Sequence, residues 1–409
     1  MPRTSRRPAR VKGRRTSSVK TKISRLRRKK ISPRTTRSLK KRPIPSRREG
    51  KKKGAPKRRA GRRPSSLVLK KFEANPIIRP RSTHHWETKA AFNPAAIREG
   101  GKVHLLYRAI GEGDRSVLGY ASSPDGLHID ERLDHPVYIP RAPFEGGTFP
   151  RHLISMHPKW SQFVSGGGGC GGCEDPRITR IGDRMYMTYV AYDGWSPPRV
   201  ALTSISVQDF LNRQWHWAAP VLISPPGVVD KNACLLPETI DGKYVMFHRI
   251  YPDILIDLLP NLDFDGETKW LRGHFRIEPR REFWDSRKIG AGPPPLKTEK
   301  GWLLIYQAVG EIDAGRYKMG AMLLDLKRPW HVIARGAEPI LEPSENYENE
   351  GWKSGVAYPC GAVIIGGRLI VYYGGADTVV CAAEANLTHF LQELLGSKRP
   401  KLERVRVQA

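Results

Sequence analysis

Two kinds of side chain in this sequence have the types and spacing to do chemistry together. One is a carboxylate beside a glycine-rich loop; the other is a set of lysines and arginines at the ends of short apolar runs. The carboxylate is Asp175, in GGGGCGGCEDPRIT (residues 166–179). Pro176 is expected to push Asp175 into an extended conformation. A carboxylate fixed at a strand start is a candidate general acid or base; the plainer reading is a turn aspartate partnered by Arg177. Cys170 and Cys173 form a CxxC pair in the same loop, but no further ligands stand at zinc spacing. No Lys follows the glycines as a GxxxxGK[ST] phosphate loop requires. The cations come later. VVDKNACLLPETIDGKYVMFHR (228–249) places Lys231, and His248 with Arg249, at the ends of two strands joined by a turn at Asp241-Gly242. WDSRKIGAGPPPL (284–296) places Lys288 before a Gly/Pro loop. Singly, each such cation is ordinarily a solvated surface group. Three at equivalent ends of neighbouring units would converge on a small dianion such as inorganic phosphate, where charge-assisted hydrogen bonds are strong.

The elements that must position these groups repeat along the chain. A glycine, a polar residue and an alternating apolar run rich in Tyr recur at Gly101 (KVHLLYRAIG), Gly182 (DRMYMTYVAYDG), Gly242 (KYVMFHRIY), Gly301 (WLLIYQAVG) and Gly366 (GRLIVYYGGAD). A turn feeding a period-2 run reads as a half-buried hairpin strand. Most copies lead into a second strand-like run, as at 117–126, 199–210, 316–326 and 378–387. The best helical candidate is LTHFLQELLG (387–396). Five all-β units of about 60 residues predict a five-bladed β-propeller, with a β-sandwich pair as the alternative. In a propeller the polar residues ending each repeat line one pocket: Arg108, Asp193, His248, Arg249, Gln307 and Asp377. Such a pocket suits a sugar or a phosphate.

Charge excludes another class. Of 71 Lys+Arg in 409 residues, 29 fall in residues 1–66 beside a single acid, Glu49, and the remainder is close to neutral. The protein is therefore no domain-wide nucleic-acid binder. Residues 1–66 lack aromatics and read as a disordered basic tail, with weak, non-specific nucleic-acid contact as a partner expectation. The propeller is expected over 67–396 and a basic C-terminal tail over 397–409. No stretch approaches the roughly 18 apolar residues of a membrane span, so no membrane contact and a cytoplasmic location are expected.

In these runs ETKAAFNPAAI, YRAIG with DRSVLGYASSPDG, EDPRIT, DKNACLLPE, MFHR, KIGAGPPPL followed by WLLIY, and YYGGAD stand in order over residues 75–385. Together they resemble glycoside hydrolase family 130, the β-mannoside phosphorylases and some β-mannosidases, on a five-bladed β-propeller. The resemblance implies that Asp175 is the general acid, its proton reaching the glycosidic oxygen through the mannose 3-hydroxyl. It further implies that Asn93, Arg108 and Asp377 hold the non-reducing mannose, and that Lys231, Asn232, Arg249, Lys288 and Tyr317 face phosphate. Lys231 departs from a common Arg, Gln307 from a common His, and the glycine-rich insertion is longer than the simplest family form. A hydrolase needs a second carboxylate to activate water. A phosphorylase needs a cationic cradle instead. The expectation is an inverting β-mannoside phosphorylase giving α-mannose 1-phosphate and a shortened acceptor, with phosphate as co-substrate and no metal or cofactor. The alternatives are a β-mannosidase and a non-catalytic sugar-binding propeller. Loops 141–172 and 252–285 are expected at the pocket mouth. Trp215, Trp217 and Trp270 are expected to be exposed, for acceptor stacking or a homo-oligomer interface.

Overall fold

The chain divides into two units, residues 1–62 and 63–409. The computed structural model describes residues 67–146 and 169–396, all in the second. The basic tail expected over 1–66, the one expected over 397–409 and residues 147–168 of the expected mouth loop lie outside the described residues.

After a two-residue strand β1 (Lys70–Lys71), strands follow in antiparallel groups. The first holds β2 (Ala90–Glu99), β3 (Lys102–Ile110), β4 (Ser116–Ser123) and β5 (Glu131–Arg132). The second holds β6 (Gly172–Ile181), β7 (Arg184–Tyr192), β8 (Arg199–Ser206) and β9 (Val221–Leu222), and a short helix α1 (Val207–Leu211) follows β8. A single parallel pair, Ser116 with Gly172, joins these groups into one eight-stranded sheet. The third group is β10 (Asp230–Leu235), β11 (Tyr244–Ile250), β12 (Ile254–Leu259) and β13 (Phe275–Ile277). The fourth sets β14 (Lys288–Ala291) and β15 (Leu296–Thr298) on β16 (Gly301–Val309), then β17 (Lys318–Leu324) and β18 (Val332–Arg335). A helical turn α2 (Asn346–Asn349) leads to the last: β19 (Ala357–Ile365), β20 (Arg368–Gly375), β21 (Val379–Asn386) and, returning from the N-terminal side, β1. Helix α3 is Leu387–Gly396, over the run read as helical. No sheet closes on itself, and no described helix is long and apolar enough to cross a membrane.

The repeated runs are β3, β7, β11, β16 and β20, and both of their faces are buried, not one. In β16, Leu303 and Ile305 pack with Val371 and Tyr373 of the last group, while Trp302, Leu304 and Tyr306 pack with Phe247 and Ile256 of the third. Alternating side chains therefore enter two different apolar layers, and the run reads as continuous Trp-Leu-Leu-Ile-Tyr. Further layers join the first group to the second, the second to the third, and the last back to the first through Leu105, Tyr107, Ile370 and Tyr372. Each such aliphatic or aromatic side chain contributes about 1.5–3 kcal/mol by leaving water.

The tyrosines of these runs are pinned by buried acids. Tyr107 donates to Glu87 (2.9 Å), Tyr189 to Glu145 (2.5 Å), Tyr306 to Asp285 (2.8 Å) and Tyr373 to Glu348 (2.8 Å). Three of these acids also take a cation from the outermost strand of their group: Arg132 (2.5 Å), Arg335 (2.6 Å) and Lys71 (2.5 Å). Gly119 and Gly320 stand across from Tyr107 and Tyr306, where any Cβ would overlap the ring. In the third group His248 replaces the tyrosine, held by Asp230 (2.7 Å) and Asp257 (3.0 Å) and fully buried. His248 is thus a structural ion-pair residue and not a pocket-lining one.

Candidate active site

The site is built on irregularities in the first strands of the first three groups. The antiparallel register slips between Phe92 and Ala95 in β2, Glu174 and Arg177 in β6, and Lys231 and Cys234 in β10. Inside each slip one residue takes a left-handed backbone: Asn93 (φ 48°), Asp175 (φ 49°) and Asn232 (φ 59°). Asn and Asp tolerate this region best among residues with a side chain, and a bulge re-aims the side chain that it leaves outside the ladder. Asp175 is therefore not extended, as Pro176 suggested. The bulge imposes positive φ, and the proline costs nothing at a position without a ladder donor. Arg177 does not pair with the Asp175 carboxylate; its guanidinium holds the Asp175 carbonyl (2.6 Å) and that of Gly292 (3.1 Å), fixing the bulge from behind.

The carboxylates form one buried network. Asp175 Oδ1 accepts from the Asn93 amide at 2.8 Å and lies 3.4 Å from Arg108, whose other nitrogens reach Glu174 (3.1 Å) and Ser116 (2.9 Å). Glu174 is shared with Lys231 at 3.5 Å. Burial alone would raise the Asp175 pKa, but Arg108, Arg177, Asn93 and Lys231 outweigh it and hold the carboxyl below its ordinary value. Asp377, in the turn after β20 with φ 52°, behaves oppositely. Burial pushes it up, Lys353 pulls it down, the Asp175 charge pushes it up again, and it settles at about 6. The two carboxylates feel one another and titrate apart.

The cations gather on the adjoining side. Lys231 and Arg249 are direct cross-strand partners on β10 and β11. Lys288, at the start of β14, donates to the Tyr317 hydroxyl at 2.6 Å, and its ammonium lies 4.7 Å from that ring's centroid. Lys353 lies over the same ring at 4.4 Å. Burial, then Arg249 and Lys353, lower the Lys288 pKa, although Tyr317 partly offsets them. Burial would raise Tyr317, yet Lys288, Lys353 and Arg249 bring it down to about 8. Asn232 donates to the Tyr358 hydroxyl; with the Gln307 amide turned so that its oxygen faces Asn232, Asn232 also donates to it at 3.2 Å and the Gln307 nitrogen donates to the Gly290 and Ala291 carbonyls (2.8 and 3.1 Å). Gly290 admits this packing, since a Cβ there would overlap both amides.

The structure thus gathers Asp175, Asn93, Arg108, Asp377, Lys231, Asn232, Arg249, Lys288 and Tyr317, together with Gln307. Asp193 stays apart, capping its own turn through the Trp195 and Ser196 amides (2.8 and 2.7 Å). The tryptophans are corrected too. Trp217 is buried, Trp215 and Trp270 are half-buried, and all three follow strand ends that point away from the site. Within 252–285, Ile254–Leu259 and Phe275–Ile277 are strands, so the 260–274 connection lies at that far end as well. Sequence reasoning missed Glu174, Lys353 and Tyr358 as members of the network. Glu174 adjoins Asp175 in the EDPR run, but Lys353 stands in GWKSG, which matches no repeat. Cys170 and Cys173 are free thiols, and Cys173 turns its sulfur to Glu145 (3.4 Å).

Amide, guanidinium and carboxylate groups beside a cluster of cations make a site of the class that suits a sugar together with an anion. Residues 153–394 match the family described as beta-1,4-mannooligosaccharide phosphorylase, and the chain belongs to this family, glycoside hydrolase family 130. It is 36% identical over 324 residues to a 1,2-beta-oligomannan phosphorylase of Thermoanaerobacter sp. (strain X514), covering 78% of this chain and 97% of that one. It is 31% identical to a beta-1,4-mannooligosaccharide phosphorylase of Ruminococcus albus, over 77% of this chain and 88% of that one. The fold is similar to that of a Listeria innocua beta-1,2-mannobiose phosphorylase solved with beta-1,2-mannobiose (TM-score 0.61, 24% identity, 80% and 99% of the two chains). The architecture is accordingly β-propeller-like.

Proposed function

We propose that this protein is an inverting β-mannoside phosphorylase whose five strand groups are the blades of a propeller around the site. It cleaves a β-mannoside with inorganic phosphate to α-mannose 1-phosphate and a shortened acceptor. The observation that carries this reading is the group Arg249, Lys288 and Lys353, which among the described residues has no carboxylate within ion-pair distance, beside Tyr317 and the buried Asp175 network. Half-buried cations this close repel one another, and a dianion relieves that repulsion. A hydrolase would gain nothing from such a cluster.

In this reading Asn93, Arg108 and Asp377 hold the terminal mannose. Lys231, Asn232, Arg249, Lys288 and Tyr317 hold phosphate on the ring face opposite the leaving oxygen. A phosphate oxygen forms the bond to C1 as the glycosidic C–O bond breaks. Asp175 supplies the departing oxygen with its proton through the mannose 3-hydroxyl, and the proton left on the new phosphate ester returns to the carboxylate. In the empty site Asp175 is ionised. Phosphate entering the cradle offsets the cations that hold its pKa down and so readies it as an acid. The displacement requires no metal or cofactor, and a cytoplasmic setting supplies the phosphate. The test is synthesis: α-mannose 1-phosphate is offered with mannose, glucose, N-acetylglucosamine and mannobioses, and phosphate release is followed. Release with at least one acceptor supports the reading; none with any acceptor, under conditions where the protein is folded, removes it.

A further inference from the structure

We propose that Lys353 is a fourth phosphate-binding cation, completing with Arg249 and Lys288 a cradle that Lys231 leaves short of charge. The proposal rests on the phosphorolysis reading and adds a residue to it. Lys231 lies 3.5 Å from the buried Glu174 carboxylate, so part of its charge is already spent. Lys353 has no such partner among the described residues. Its ammonium sits 4.4 Å from the centroid of the ring that Lys288 also covers, and its charge is felt by Lys288, Tyr317 and Asp377. It therefore packs on the phosphate side of the site and acts through its charge on the Asp377 side.

Its backbone is placed as firmly as that of the bulge residues. The Lys353 amide donates to the Ala376 carbonyl (3.1 Å) and the Trp352 amide to Thr378 Oγ1 (3.1 Å), on either side of Asp377. Gly351 packs so closely on Ala376 and Thr378 that a Cβ there would overlap them. The segment 351–353 is thus tied to the turn that carries Asp377. A residue so fixed, with its head group over a phenol and no carboxylate within ion-pair distance among the described residues, is held ready for an anion that arrives with the substrate.

The test compares the full-length wild type with Lys353→Met and Lys353→Arg, after circular dichroism and melting confirm folding. Phosphate and mannoside are varied separately. Lys353→Met is expected to raise the KM for phosphate about ten- to a hundredfold, the effect of one charge-assisted hydrogen bond, and to raise the KM for the mannoside far less. Lys353→Arg recovers most of the loss, and the effect of Lys353→Met persists in a Tyr317→Phe background. The proposal is overturned if the phosphate KM of Lys353→Met matches the wild type, or if its effect vanishes without the Tyr317 hydroxyl. A wild type that turns over without phosphate would instead remove the reading beneath the proposal, and the proposal with it.

Discussion

At the residue scale the two aspartates carry the account, because their surroundings drive them apart. Asp175 lies among Arg108, Arg177 and Lys231, which outweigh burial and hold its carboxyl below the ordinary value, whereas burial raises Asp377 to about 6. Only Asp175 accepts from the Asn93 amide within the bulges, the position that the proposed proton relay requires. Replacing Asp175 by Asn is expected to lower kcat about a hundred- to ten-thousandfold, the usual worth of a positioned acid; steady-state rates on a folded variant check it. Tyr317 gives a second handle. Against its burial, Lys288, Lys353 and Arg249 bring its pKa down to about 8, so below that pH it is a neutral donor and above it an anion among the cations of the proposed cradle. The KM for phosphate is therefore expected to rise as pH passes 8. In the ultraviolet, a tyrosinate titration near 8 should be absent from Tyr317→Phe and should move to higher pH when phosphate is added. A KM flat across this range would remove Tyr317 from the cradle.

At the element scale, strands are held to their neighbours by buried acid–tyrosine pairs, with one histidine exception. His248 has a folded-state pKa of about 9 against an ordinary 6.5. Its pairing with Asp230 and Asp257 thus stabilises the fold fully below 6.5, and this contribution drains away as pH rises through 9. The melting temperature is expected to fall over that interval, and His248→Asn to flatten the dependence. Tyr306→Phe should cost about 1–3 kcal/mol in urea unfolding, because it removes a donor from the buried Asp285. These elements also mark what was legible in the sequence. Gly-to-Tyr runs predicted five strands and their order, since a continuous apolar run after a turn is hard to read otherwise. The same runs suggested that only one face was buried, because the second apolar layer comes from a group about 60 residues away. The bulges at Asn93, Asp175 and Asn232 were visible as polar residues but not as left-handed backbone; pairing register, absent from any local pattern, decides that. Lys353 stayed hidden because GWKSG belongs to no repeated run.

At the scale of the whole molecule, the site draws its cations from residues 108 to 353 and its carboxylates from 174 to 377, so it exists only when the groups are brought together. The last group is completed by β1, whose Lys71 meets Glu348 at 2.5 Å. Removing residues 1–66 is expected to leave kcat and melting temperature unchanged, whereas removal through residue 74 should lower the melting temperature by taking away both that ion pair and the β1 edge. Loss of activity on the shorter deletion would give the basic tail a part in turnover.

The most direct measurement is the initial rate of β-mannoside cleavage against inorganic phosphate, with the sugar products separated. Saturable dependence on phosphate, α-mannose 1-phosphate as product, and loss of that dependence in Lys288→Ala or Arg249→Ala are the results expected from a cationic cradle opposite one acid. Free mannose released at a rate indifferent to phosphate would contradict it.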